Sequence, residues 1–215
     1  MSPEARAIEP FAPHFSRPLA AVLADLTAFA VLLRRWNASQ NLVSRGTLDK
    51  LWSRHIADSL EVLPLLEESD ENLVDLGSGG GFPAIPLAIA AKGKVRLTLV
   101  EAIGKKASFL KAVNRELYLG LDVRQERAEA LDPAALGPVD VITSRALASL
   151  TNLLTLAAPL FGPGTRAIFH KGRDYGEEVA ESRASWQYDV VVKPSQIDDS
   201  GVLLVISNLS SKSSR

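Results

Sequence analysis

The residues best suited to chemistry sit in one short run, Val74-Asp75-Leu76-Gly77-Ser78-Gly79-Gly80-Gly81-Phe82-Pro83. An apolar strand ends at an aspartate and passes into a loop with glycine at every second position, Gly77, Gly79 and Gly81. Such a loop lets a cofactor lie directly on the backbone, because no Cβ stands in the way. A dinucleotide fingerprint, G-x-G-x-x-G, would need its third glycine where Phe82 stands. Glu101 follows about 20 residues on, where an acid can accept hydrogen bonds from both hydroxyls of a ribose. Beyond it comes Arg127-Ala128-Glu129, and the backbone of Ala128 and Glu129 would read the edge of an adenine. In this order and spacing the three features point to an adenosine-containing cofactor.

Other chemistries lack their residues. There are no cysteines, which removes disulfides, zinc ribbons and any thiolate nucleophile and fits a reducing, cytoplasmic setting. The three histidines, His14, His55 and His170, form no H-E-x-x-H, so no metal site is expected. Gly93-Lys94 and Gly104-Lys105 lack the frame of a P-loop, and no G-x-S-x-G elbow is present. Net charge is -1 and the pI about 6.3, so any nucleic acid must be held by a local patch.

The elements that position these residues follow from periodicity. Ser16 is placed to cap a helix with Pro18 in its first turn, and Leu19, Val22, Leu23, Leu26, Phe29, Ala30 and Leu33 give that helix one apolar face. Arg34 and Arg35 fall in its last turn, a polar connector runs from Asn37 to Gly46, and a second helix is predicted over about 47–67. Residues 1–70 thus read as a helical cap with too little core to stand alone, 71–207 as the catalytic domain and 208–215 as a flexible tail. Within 71–207, strands are predicted at 73–76, 95–100, 121–125, 139–143, 166–170, 188–192 and 202–206, with helices at about 84–92, 105–119, 149–160 and 174–185. The first five strands are joined by crossovers and must run parallel. The last two have a short connector, Lys193 to Gly201, and must form an antiparallel pair. No run approaches the roughly 18 apolar residues of a membrane span, and residues 1–13 do not read as a secretory signal.

A G-x-G-x-G loop after an acidic strand end resembles the first motif of the Rossmann-like S-adenosylmethionine (SAM) methyltransferases. A seven-stranded, mostly parallel sheet ending in an antiparallel hairpin resembles the class I methyltransferase fold, an α/β architecture here preceded by the cap. Ligands of such sheets bind at the carboxyl ends of the strands. After the fourth strand the chain reads Thr143-Ser144-Arg145-Ala146-Leu147-Ala148. The (Asp/Asn)-Pro-Pro-aromatic motif of exocyclic-amine methyltransferases is missing, and without cysteine a covalent route to pyrimidine carbon 5 is excluded. An acceptor that is already nucleophilic needs no base, and the in-plane lone pair of guanine N7 is one.

Nearly the whole chain, about 20 to 207, resembles the RsmG family, also called glucose-inhibited division protein B. The matching pieces are Arg35-Trp36-Asn37, Asn41-Leu42-Val43-Ser44, Arg54-His55-Ile56-Ala57-Asp58-Ser59-Leu60, the run from Asp75 to Leu87, Gly104-Lys105-Lys106, Ser144-Arg145-Ala146 and Lys171-Gly172. The resemblance implies a bacterial 16S ribosomal RNA guanine-N7 methyltransferase acting on the decoding-region loop, with 16S rRNA or the small subunit as partner. It further implies SAM contacts at Gly77, Phe82, Ala128, Glu129 and Arg145, to which the spacing argument adds Gly79 and Glu101. Departures are Gln40 for a frequent aromatic, Glu101 for Asp, and His170 for an apolar residue before Lys171.

Arg145 is the candidate for positioning the acceptor, and no residue is expected to serve as obligatory base. Arg54, His55, Lys171 and Arg173 are candidate RNA contacts, within a wider set of cations that includes Arg34, Arg35, Arg45, Lys50, Lys105 and Lys106. His55 and Asp58, i and i+3 on one helix face, read as a hydrogen-bonded structural pair. Trp36 reads as core rather than as a stacking plate for a flipped base. A monomer is expected. Two rivals remain: a methyltransferase for another RNA or a small molecule, and a SAM-binding ribosome-assembly module without turnover.

Overall fold

The computed structural model describes residues 1–212, apart from the side chain of Arg45. A short helix α1 (Pro3–Ile8) runs into a 3-10 turn (Glu9–His14), and α2 (Leu19–Gln40) follows. Next come α3 (Arg45–Leu48), a π-helical stretch at Trp52–Ala57, α4 (Asp58–Leu60) and a 3-10 turn at Leu63–Leu65. The rest alternates: β1 (Asn72–Leu76), α5 (Ala84–Ala90), β2 (Arg96–Val100), α6 (Gly104–Leu117), β3 (Asp122–Arg124), β4 (Val141–Arg145), α7 (Leu150–Ala157), β5 (Arg166–Lys171), α8 (Tyr175–Ser182), β6 (Trp186–Pro194) and β7 (Val202–Ser211).

All seven strands form one sheet in the order β3-β2-β1-β4-β5-β7-β6. The pairs among β1 to β5 are parallel, whereas β7 is antiparallel to both β5 and β6. The mixed α/β sheet with an antiparallel end is therefore as the sequence predicts. Strand order reverses between β1 and β4. The glycine loop leaves β1 there and Arg145 ends β4 beside it, so the crevice opens at the switch point.

Several boundaries differ from expectation. Residues 3–14 form helical turns that the sequence reading did not assign: Ser2 caps α1 by accepting from Ala5 N at 3.2 Å, and Ile8 and Phe11 are buried. Ser16 does not cap α2. Its hydroxyl donates to the carbonyls of Ala90 and Lys92, tying the chain to the end of α5, and Pro18 takes the cap position. α2 continues to Gln40, so Arg34 and Arg35 lie more than a turn short of its end. The second predicted helix is interrupted by turns at 49–50 and 61–62 and is π-helical at Trp52–Ala57. The predicted tail begins too early: β7 extends to Ser211 because Ser210 and Ser211 pair with Gln187 and Trp186, while 213–215 lie outside the described residues.

One hydrophobic cluster joins the cap to a face of the sheet. It contains Ile8, Val22, Leu26, Phe29 and Leu33 from the cap, and Ile85, Leu99, Phe109 and Leu110 from the alternating region. Phe29 touches Phe82 and Phe109, with ring centroids 5.5 and 6.3 Å apart. A second cluster, including Ile142, Leu154, Phe169 and Leu204, fills the other face. The cap is thus welded beside the glycine loop through the aromatic that ends it.

Candidate active site

The loop after β1 is folded back by its own amides. Gly77 N and Ser78 N both donate to Val100 O, at 2.9 and 3.0 Å, and Gly81 N donates to Ser78 O. Positive φ values of 71°, 53° and 88° at Gly77, Gly79 and Gly81 explain the alternate glycines. Each also meets different surroundings. A Cβ at Gly81 would stand 2.5 Å from Ile85 Cγ1, and one at Gly80 would stand 2.9 Å from Leu42 O, so these two let α5 and the cap approach. A Cβ at Gly79 would meet nothing closer than Gly77 O at 3.7 Å, and this glycine opens onto the crevice.

Glu101, just past β2, is 5% exposed. Its Oε2 accepts from Gly79 N at 2.8 Å and its Oε1 from Ile103 N at 2.7 Å. These amides fix the carboxylate, and each oxygen keeps a lone pair for a further donor. Asp75, missed as a site residue, lies fully buried beneath the loop. Its Oδ1 accepts from Thr143 Oγ1 at 2.7 Å, its Oδ2 has no partner, and burial pushes its carboxyl up to about 7. The strand-end position was visible in the sequence; the burial that perturbs it was not.

Arg145 is the most heavily engaged side chain of the crevice. Its Nη1 donates to Asp58 Oδ2 at 2.9 Å and to Arg54 O at 3.3 Å, and its Nη2 donates to His55 Nδ1 at 2.7 Å. Its guanidinium lies 4.9 Å from the ring centroid of Phe82, and the His55 ring lies 5.1 Å from the same centroid. The expected hydrogen bond between His55 and Asp58 is not formed; each instead grips Arg145. For His55 to accept at Nδ1 it must be neutral with its proton on Nε2, which faces Thr47 Oγ1 at 2.9 Å. Burial, reinforced by the Arg145 charge, lowers the His55 pKa to about 4. Burial also lowers His170, whose Nε2 lies 3.0 Å from Asp58 O.

These groups line a cleft of about 1080 Å³ that also includes Ala128 and Glu129 on one side and Ser195, Asp198 and Leu203 on the other. The volume suits a nucleoside cofactor with a second ring beside it. The predicted cofactor contacts Gly77, Gly79, Phe82, Glu101, Ala128, Glu129 and Arg145 are thereby brought to one cleft. An adenosyl cofactor fits this set: an anchored carboxylate for its ribose and a glycine without Cβ where it would lie. Phe82, 4% exposed, is the plate behind Arg145 and His55 rather than an open stacking surface.

The predicted RNA contacts separate. Arg54 and His55 line the cleft, and Arg54 Nη1 meets Asp198 Oδ2 at 2.7 Å. Lys171 also lines it but is spent internally: its Nζ donates to Glu178 Oε2 at 2.6 Å and to Ala148 O at 2.8 Å. Arg173 is exposed outside the cleft. Arg34 lines a separate small groove with Glu4 and Trp52, away from Arg54 in the cleft. Trp36 packs on Phe109, with centroids 5.7 Å apart, as a core residue. Among the described residues no group of three metal-ligating side chains occurs, and no helix is long and apolar enough to cross a membrane.

Known proteins bear on this cleft. A family model described as rRNA small subunit methyltransferase G matches residues 22–199. The ribosomal RNA small subunit methyltransferase G of Brucella suis is 46% identical over 189 residues, covering 87% of this chain and 88% of that protein. The protein of the same name from Brucella abortus matches with the same identity and coverage. Among solved structures, a SAM-dependent methyltransferase from Aquifex aeolicus has a TM-score of 0.57 at 12% identity, covering 82% of this chain and 97% of that one. An O-methyltransferase from Bacillus cereus in complex with SAH has a TM-score of 0.55 at 17% identity, covering 83% and 90%. At these identities the structural likeness is one of fold. Spanning the cap, the glycine loop and the sheet alike, the sequence match makes this chain a member of the rRNA small subunit methyltransferase G (GidB) family.

Proposed function

We propose that the protein methylates N7 of a guanine in 16S ribosomal RNA in the cytoplasm, with SAM held in the cleft between the β1 loop and β4. The family name of its relatives supports small-subunit rRNA as the substrate. When bound, SAM supplies an electrophilic methyl group. Glu101 would take the ribose hydroxyls, the open backbone at Gly79 would receive the amino-acid portion, and Ala128 and Glu129 would meet the adenine.

The observation that carries the choice of N7 is that the acceptors beside Arg145, His55 and Asp58, are both spent on it, while the unpartnered Nδ1 of His170 is buried away from solvent. His55 takes Arg145 on Nδ1 and holds its proton on Nε2. Asp58 is bonded to Arg145 and Glu178 to Lys171, while both oxygens of Glu101 face amides. Asp75 is sealed beneath the loop. A cleft of this kind suits an acceptor with a lone pair already exposed, and guanine N7 is one. Catalysis then rests on orientation and on exclusion of water. Arg145, fixed by Asp58, His55 and Phe82, orients the acceptor.

The test is direct. Small subunits or 16S rRNA from a strain lacking this activity are incubated with the protein and methyl-labelled SAM, and the modified nucleotide is mapped. The expected product is a single N7-methylguanine in the decoding-region loop. Label at another atom, or only in protein, overturns the reading.

A further inference from the structure

Arg54 and Asp198 face each other across the mouth of the cleft, from the cap and from the connector between β6 and β7. Their contact is single, Nη1 to Oδ2 at 2.7 Å, and the Arg54 side chain is still 49% exposed. The connector itself is firmly built. Glu61 reaches out of the cap to accept from Ser195 Oγ at 2.6 Å and from Gln196 N at 2.5 Å, and Ser195 Oγ in turn accepts from Ile197 N and Asp198 N. Asp198 is therefore held at the mouth whether or not Arg54 meets it. Its other oxygen accepts from Ser200 N at 3.0 Å and lies 2.9 Å from Ser200 Oγ. The Ser200 amide is also the chief reason its carboxyl stays below the usual range, with Arg54 contributing less.

A fixed carboxylate at the mouth of a cleft meant for a polyanion opposes binding unless a cation masks it. Arg54 is a half-exposed cation at that mouth, and in the free protein a carboxylate occupies it. The protein has a net charge of -1 and so no overall attraction for RNA, which makes each local cation count. We propose that Arg54 is a seat for a phosphodiester of the substrate RNA, and that Asp198 fills this seat in the free protein and is displaced by the phosphate. The inference rests on the proposed RNA substrate. The exchange is inexpensive in one direction, because an exposed ion pair contributes little and Asp198 retains its Ser200 bonds. Arg54 offers five donors in a planar fork, which a phosphate can use in pairs. The exchange also reaches the reacting end of the cleft, since Arg54 O accepts from Arg145 and the next residue, His55, holds the same guanidinium.

The test is a cycle of Asp198→Asn, Arg54→Ala and the double variant, with affinity for a decoding-region 16S fragment measured at several salt concentrations. Binding of S-adenosylhomocysteine and a thermal melt report on the fold of each variant. Asp198→Asn is expected to tighten RNA binding about three- to tenfold and to steepen the salt dependence by roughly one ion. Arg54→Ala is expected to weaken binding, and the double variant to match Arg54→Ala. Unchanged or weaker binding in Asp198→Asn overturns the inference. So does equal tightening in the Arg54→Ala background, because the carboxylate would then act by general repulsion. Nucleotide mapping on the wild-type protein decides the substrate separately, so a failed cycle with correct N7 methylation sinks only this proposal.

Discussion

Arg145 and Asp58, 87 residues apart, meet at 2.9 Å with only 16% of each side chain exposed. The contact joins β4 to the cap over the ring of Phe82, so the charge at the centre of the cleft depends on a helix outside the sheet.

Asp58→Ala should therefore destabilise the protein as well as disable it. An arginine left buried without its counter-charge costs about 3 kcal/mol. Urea unfolding should show a lower midpoint with an unchanged slope. An unchanged midpoint would mean that the guanidinium finds water when its partner is removed.

Arg145→Lys should lose at least tenfold in single-turnover methyl transfer while SAM binding changes less. Lysine keeps the charge, but one ammonium cannot span Asp58 Oδ2 and His55 Nδ1 while keeping a planar face on Phe82. A lysine variant of near-normal rate would show that charge alone suffices.

Stability should vary with pH through two opposed groups. His55 falls from 6.5 unfolded to about 4 folded, so between those values the unfolded chain holds the extra proton and stability rises with pH. Asp75 rises from 3.8 to about 7, so across that span the folded protein holds the extra proton and stability falls with pH. Between about pH 4 and 6.5 the two slopes oppose, each at most about 1.4 kcal/mol per pH unit. Asp75→Asn removes the falling one. Its stability should climb more steeply with pH over this window than that of the wild type, as read from denaturant midpoints. A parallel profile for the two proteins would refute this.

Methyl transfer should show no base. With His55 neutral well above pH 4, the single-turnover rate should be flat from about pH 7.5 to 9. Any change between about pH 6.5 and 7.5 should disappear in Asp75→Asn, since that carboxyl titrates under the loop. A rate rising tenfold per unit up to pH 9 would require a general base and contradict N7 as the acceptor.

Gly77→Val should abolish SAM binding by displacing the loop. At φ 71° a branched residue is strained, and its Cβ would meet Leu147 Cδ1 at 2.6 Å, a side chain 40% exposed that can swing away. Trimming that neighbour with Leu147→Ala should therefore not restore binding, as calorimetry would show. Restoration would place the fault in the clash and not in the backbone.

The sequence was most readable where local rules act. Alternate glycines, strand-end acids and the short 193–201 connector each announce a backbone conformation, and the sheet and its loop followed from them. The cleft's interior was less readable because its bonds are long-range. Nothing in the spacing of residues 54–58 and 145 says that a guanidinium will take both His55 and Asp58. Lys171 read as a candidate RNA contact near a strand end, yet Glu178, a turn into the following helix, claims it. The helix expected over 47–67 is interrupted by turns at 49–50 and 61–62, and its middle is wound as a π-helix at Trp52–Ala57. Ser16 was misassigned for a similar reason: its acceptors lie 74 and 76 residues away.

The order β5-β7-β6 places a later-made strand inside an earlier one. Until β7 docks, β6 has no neighbour to receive its backbone, and it carries Val190, Val191 and Val192 in a row. It must wait for the segment from Val202 before either edge is occupied. That interval is the one in which a nascent chain can be captured by another nascent chain, and it closes when β7 slides between its two partners. Yield at high expression should thus be governed by how fast β7 docks, and a substitution that weakens its pairing with β5 should increase the aggregated fraction.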